Sequence, residues 1–156
     1  ALRAIQVMPR FDLGPRPDSA EYELERGECL AFLRSAQLAR VVLPGHEAGP
    51  AVVLPVNVVL DGEQMVLRTG EGVILAAARA GAWLTMQADS YTQHGVGRGW
   101  SVTAAGRARE ATGGALDRLR ELAPTPVAGG SRSHIVVVPI ETVEGRRVGA
   151  PVPAAP

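Results

Sequence analysis

Apolar positions along this chain gather into short runs that switch between strand-like and helix-like periods. From 23 to 37, ELERGECLAFLRSAQ sets Cys29, Leu33 and Ala36 on one helical face that Leu30 and Phe32 widen, predicting a first helix that Gly27 weakens. LARVVL at 38–43 reads as a strand, PGHEAG as a turn, and PAVVLPVNVVL at 50–60 as a long second strand. Pro55 lies inside that strand and cannot donate to a ladder, so one side of it must be an edge or a bulge. Asp61 and Gly62 signal a hairpin into the strand QMVLR at 64–68. A short helix follows at 73–80 and a strand at 82–88. The polar stretch 89–99 predicts a long rim or lid loop, and 100–111 a fifth strand. Leu116, Leu119 and Leu122 repeat at helical spacing within 115–122, and a last strand starts at His134, running toward Val138 with a continuation through 145–148.

Six short strands with two or three short helices do not alternate as parallel βαβ units would. Hairpin-length connections predict a mainly-β fold, a six-stranded antiparallel sheet closed into a small barrel, since closure removes edges that would pair with other chains. At 156 residues one domain is expected over 23–148, with an extended N-terminal arm at 1–22 and an Ala/Pro tail at 149–156. Three prolines between 9 and 20 argue for the arm. A second copy of the chain is the simplest cover for an apolar flank that so small a sheet leaves open.

Charge narrows the chemistry. Sixteen cations balance sixteen carboxylates, and every cation is arginine. Without lysine there is no imine chemistry and no catalytic ammonium. Zero net charge gives no electrostatic reason to expect nucleic acid or an anionic membrane as partner. Cys29 is the sole cysteine, which excludes an internal disulfide, and with His46, His94 and His134 it forms no short metal-ligand cluster. No run approaches the roughly 18 apolar residues of a membrane span, so a soluble, cytoplasmic protein is expected.

The candidate chemistry centres on RTGEG at 68–72, where Arg68 and Thr69 leave an apolar strand and enter a turn that feeds ILAAARA. A guanidinium fork, a hydroxyl and free backbone N–H groups there make a recipe for holding a phosphate. Ser101 lacks the GxSxG elbow of a hydrolytic nucleophile, and GVGRG at 95–99 lacks the strand-loop-helix context of a dinucleotide fingerprint.

PVNVVLDG at 55–62, RTGEG at 68–72, GWSVTAAGRARE at 99–110 and HIVVVPIETVEGRR at 134–147 together resemble the split-barrel flavin-binding family related to pyridoxamine 5'-phosphate oxidase. The resemblance spans roughly 24–148 in matching order. It implies a six-stranded antiparallel split barrel and a homodimer with two cofactor sites at the subunit interface. FMN is the implied ligand, with deazaflavin F420 or haem used by relatives. Carried over residue by residue, Pro55, Val56 and Asn57 flank the ring system, Arg68, Thr69 and Gly72 meet the phosphate, and Trp100, Ser101 and His134 finish the pocket.

One departure stands out: the family pattern RTxxGxKL carries a lysine where this chain has Ile74. Losing a hydrogen bond to a charged group costs about 1.5–3 kcal/mol, which weakens a phosphate seat about ten- to a hundredfold. The resemblance therefore implies a flavin- or deazaflavin-binding protein, an oxidoreductase passing a hydride or electron pair to an organic acceptor. The alternative is a non-catalytic binding or sensor dimer for haem or another planar ligand. Each position also has a plain structural reading: Arg68 as a solvent-facing strand residue, Thr69 as a turn cap, Asn57 as partner to a bulge at Pro55, Trp100 as core or interface, His134 as a surface histidine.

Overall fold

A computed structural model describes residues 20–45, 47, 49–92, 98–126 and 130–149. His46, His94, residues 1–19 of the expected arm and residues 150–156 of the expected tail lie outside the described residues.

The described strands form two antiparallel sheets. The first runs β1 (Ala20–Glu23), β10 (Thr142–Gly149), β7 (Arg98–Arg107), β6 (Trp83–Thr92), β2 (Leu38–Leu43), β3 (Val52–Asn57). The second runs β4 (Val59–Asp61), β5 (Gln64–Thr69), β9 (His134–Pro139), β8 (Arg109–Glu110). Each sheet ends in two edge strands, so the six-stranded barrel, expected closed from the connection lengths and split from the resemblance, is overturned in favour of two open sheets of six and four strands. The cause lies in three continuous strand segments that each pass from one sheet to the other. They cross at Val58, at Ala108 and at Ile140, whose backbone N–H groups close the last rung of the ladder being left, donating to Gln37 O (3.2 Å), Ala82 O (2.9 Å) and Glu63 O (2.9 Å) respectively, before the chain joins the other sheet. Strands that switch sheets at such corners break the hydrogen-bond continuity that a barrel requires. Gly106 makes one crossing feasible, because a Cβ there would stand 1.7 Å from Pro139 O.

Three other expectations need correction. Of the predicted loop at 89–99, residues 93–97 lie outside the described residues, and Asp89–Thr92 are strand, paired with Ser101–Arg98 in the β6–β7 ladder. The continuation after Val138 is a separate strand in the other sheet. The first helix, α1 (Arg26–Ser35), starts later than predicted because Ala20–Glu23 already pair with β10. A capping box fixes its start: the Glu25 N–H donates to Glu28 Oε2 at 2.9 Å. Pro55 sits on β3, an edge strand, as its missing N–H demands.

Two apolar clusters hold the fold. The larger gathers Cys29 and Leu33 of α1, Leu75 and Ala78 of α2 (Val73–Arg79), the inward side chains of the first sheet, and Met65, Leu67, Val136 and Val138 of the second. The smaller packs α3 (Leu116–Leu122) through Leu119 on the opposite face of the second sheet, against Val66, Ile135 and Val137. Being covered on both faces explains why Ile135–Val138 form an unbroken apolar run rather than an alternating one.

Candidate functional site

The two faces of the second sheet divide the expected anion seat. Arg68 shares its face with Val66, toward α3, where its Nε donates to Ala123 O at 3.2 Å and its Nη2 donates to Arg120 O. The guanidinium thus satisfies carbonyls at the C-terminal end of α3, a task that cations commonly perform. Its Nη1 has no partner among the described residues. Thr69, one residue on, points to the other face, because successive side chains of a strand alternate. Thr69 is buried, donates through Oγ1 to Gly70 O at 3.2 Å, and stands opposite His134 in the β5–β9 ladder.

Around Thr69 the turn 70–72 makes a small open rim. Gly72 has φ +151, a conformation that side chains rarely adopt, and open space lies before its Cα. Ile74, at the family's lysine position, is buried in the core. The cations near the rim are already paired. Glu110 of β8 accepts from Arg79 at the end of α2, at 2.7 Å from Nε and 3.3 Å from Nη2, and lies 2.8 Å from His134 Nδ1. Glu71, within the turn, lies 3.1 Å from His134 Nε2 and 3.8 Å from Arg79 Nη1. The hydrogen bond from Arg79, aided by His134, holds the Glu110 carboxyl below the ordinary carboxylate range, and the same pair raises Arg79.

The pairing of Arg79, Glu110, His134 and Glu71 into one network is not legible in the sequence. Glu110 lies 24 residues from His134 and 31 from Arg79, and it meets the first through the β8–β9 pairing and the second through the packing of α2 beside β8.

The remaining expected residues lie elsewhere. Pro55 and Asn57 share the outward face of the first sheet with Val53, while Val56 points inward and is buried. Asn57 Nδ2 donates to Gln37 O at 3.3 Å. The β4–β5 register pairs Val59 with Val66, so β3 parts from β5 at Val58, just beside Arg68 and Thr69. Trp100 faces inward and stacks on Phe32 of α1, ring centroids 4.9 Å apart. Ser101 faces outward, accepts from Gln87 Nε2 at 3.3 Å, and borders a groove of about 320 Å³. Two strands separate β7 from β3, so Ser101 stands about 14 Å from the Pro55–Asn57 edge at ordinary strand spacing. One copy of the chain therefore unites Thr69, Gly72 and His134, with Asn57 nearby, but not Trp100 or Ser101.

Among the described residues no group of three His, Cys, Asp or Glu side chains is placed to hold a metal ion, and no helix is long and apolar enough to cross a membrane. Burial pushes the Cys29 thiol above its usual range, which leaves it poorly nucleophilic.

The sequence model of the pyridoxamine 5'-phosphate oxidase family matches residues 25–147, most of the chain. The protein belongs to this family. Among proteins of curated function none matches it. This pyridoxamine 5'-phosphate oxidase family member is similar to the FAD binding protein from Mycobacterium smegmatis, at 26% identity and a TM-score of 0.61, over 82% of this chain and 98% of that one. A FAD-binding protein from Mesorhizobium loti aligns at 16% identity and a TM-score of 0.62, over 84% and 98%. A FAD and haem binding protein from Mycobacterium smegmatis aligns at 18% identity and a TM-score of 0.60, over 86% and 76%. These last two likenesses establish a shared fold.

Proposed function

We propose that this protein binds a flavin nucleotide, with the ring along the β3 edge at Pro55, Val56 and Asn57 and the phosphate end at Thr69 and the Gly70–Gly72 turn. The open space before Gly72, in the turn that leaves the Thr69–His134 pair of the β5–β9 ladder, carries this reading. The donor set suits an anion: a hydroxyl, backbone N–H groups of a glycine turn, an imidazole and Arg79. Arg68 takes a positioning part, anchoring α3 to the strand that presents Thr69. A bound isoalloxazine would carry a hydride or electron pair to an organic acceptor, so the chain's own work is to bind, orient and exclude water.

The same proposal includes a homodimer built on the outward face of the first sheet. Five of the seven large apolar side chains left exposed among the described residues, Leu38, Val53, Trp83, Tyr91 and Val148, fall on that face by register. Apolar side chains concentrated on one open face favour a partner surface. Across such an interface Ser101 of one copy would complete the site of the other, which the strand separation forbids within one chain, while Trp100, turned inward onto Phe32, supports the strand that carries it.

Titrating the purified protein with FMN, FAD, F420 and haem, while following visible absorbance and mass in solution, tests the reading. A flavin that saturates at one per chain, with weaker binding in Thr69→Val, supports it. Saturation by F420 or haem and by no flavin contradicts it.

A further inference from the structure

The rim around Thr69 holds two basic groups, Arg79 and His134, and two carboxylates, and the carboxylates are not equivalent. Glu110 is mostly buried at its side chain (21% exposed), grips Arg79 through two nitrogens and contacts His134 at 2.8 Å. Glu71 is 77% exposed, reaches Arg79 only at 3.8 Å, and lies 3.1 Å from the far nitrogen of His134. An exposed ion pair of that length contributes little and is readily exchanged for another anion. Glu71 also belongs to the turn itself, between Gly70 and Gly72, so its carboxylate can swing away without disturbing a strand or helix.

We propose that Glu71 is a built-in competitor for the phosphate end of the ligand, occupying the anion position between Arg79 and His134. This inference rests on the flavin reading above. Glu71 satisfies the two basic groups while the site is free. A phosphomonoester must displace it and then sit near its negative charge. With Ile74 in place of the family's lysine, no further cation on that turn offsets the repulsion. The site consequently gains little from a terminal phosphate. A ligand is held mainly through its ring, and FMN is favoured over riboflavin by less than a phosphate grip with a free cation would give.

Glu71→Gln tests this, because it keeps the size and hydrogen-bonding reach of the side chain while removing its charge. Dissociation constants for FMN and for riboflavin, which has no phosphate, are measured by fluorescence for both proteins at the same ionic strength. The expected result is FMN tighter by about three- to tenfold in the variant and riboflavin unchanged. The FMN gain should shrink in high salt. Flavins that bind with an unchanged FMN-to-riboflavin ratio overturn this inference alone. Failure of every flavin to saturate either protein overturns the flavin reading and this inference with it.

Discussion

His134 and Glu110 meet at 2.8 Å across adjacent strands of the second sheet, and through that contact the start of β9 is tied to α2 by way of Arg79. Three elements thus converge on one carboxylate. Because Arg79 and His134 depress the pKa of Glu110, its contribution to stability is present above the ordinary carboxylate range and is lost as pH falls through the depressed value. Glu110→Gln should therefore destabilise the protein at neutral pH and flatten the acid limb of its stability profile. Denaturant midpoints measured from pH 7 downward check this, and identical acid limbs in the two proteins contradict it.

Arg68 is a clasp for α3 in the absence of any ligand. Replacing it with alanine removes two hydrogen bonds to carbonyls at the helix end and should cost about 1–2 kcal/mol of stability without flavin present. Urea unfolding of the ligand-free variant measures this directly. A stability equal to the parent's would mean that the clasp contributes nothing.

Gly145 is packed closely against the Cys29 thiol. A Cβ on Gly145 would meet Cys29 Sγ at 2.8 Å and both Leu24 Cδ1 and Val102 Cγ2 at 3.0 Å. Gly145→Ala should therefore destabilise by about 1–3 kcal/mol. Adding Cys29→Ala to that variant removes the nearest obstacle and should recover part of the loss, a coupling that a double-mutant cycle reads. Strictly additive losses would contradict the packing argument.

Leu38 and Val53, half exposed on the outward face of the first sheet, test the proposed homodimer. Sedimentation should give twice the chain mass for the parent and the single-chain mass for Leu38→Glu combined with Val53→Glu. A parent that sediments as a monomer would remove the dimer from the account.

Much of the local structure was legible because it depends on near neighbours. Asp61 and Gly62 turn β4 into β5 with Gly62 at φ +60, and Pro55 marks an edge by chemistry alone. The sheet crossings at Val58, Ala108 and Ile140 were not legible. Each crossing residue is itself apolar and buried, as inward strand residues are, so the hydrophobic pattern carries no sign of the change. Reading Arg68 and Thr69 as one corner missed the alternation that sends them to opposite faces of β5. The Arg79–Glu110 pair gave no sequence signal, since an arginine in a helix and a glutamate in a strand are ordinary until packing aligns them.

A crystal structure of the protein soaked with FMN is the most direct measurement of the central claim. The account predicts the phosphate within hydrogen-bonding distance of the Thr69 hydroxyl and the 70–72 backbone, with the ring along Pro55–Asn57 and Arg68 still bound to α3. A flavin seated elsewhere, with its phosphate away from Thr69, would contradict it.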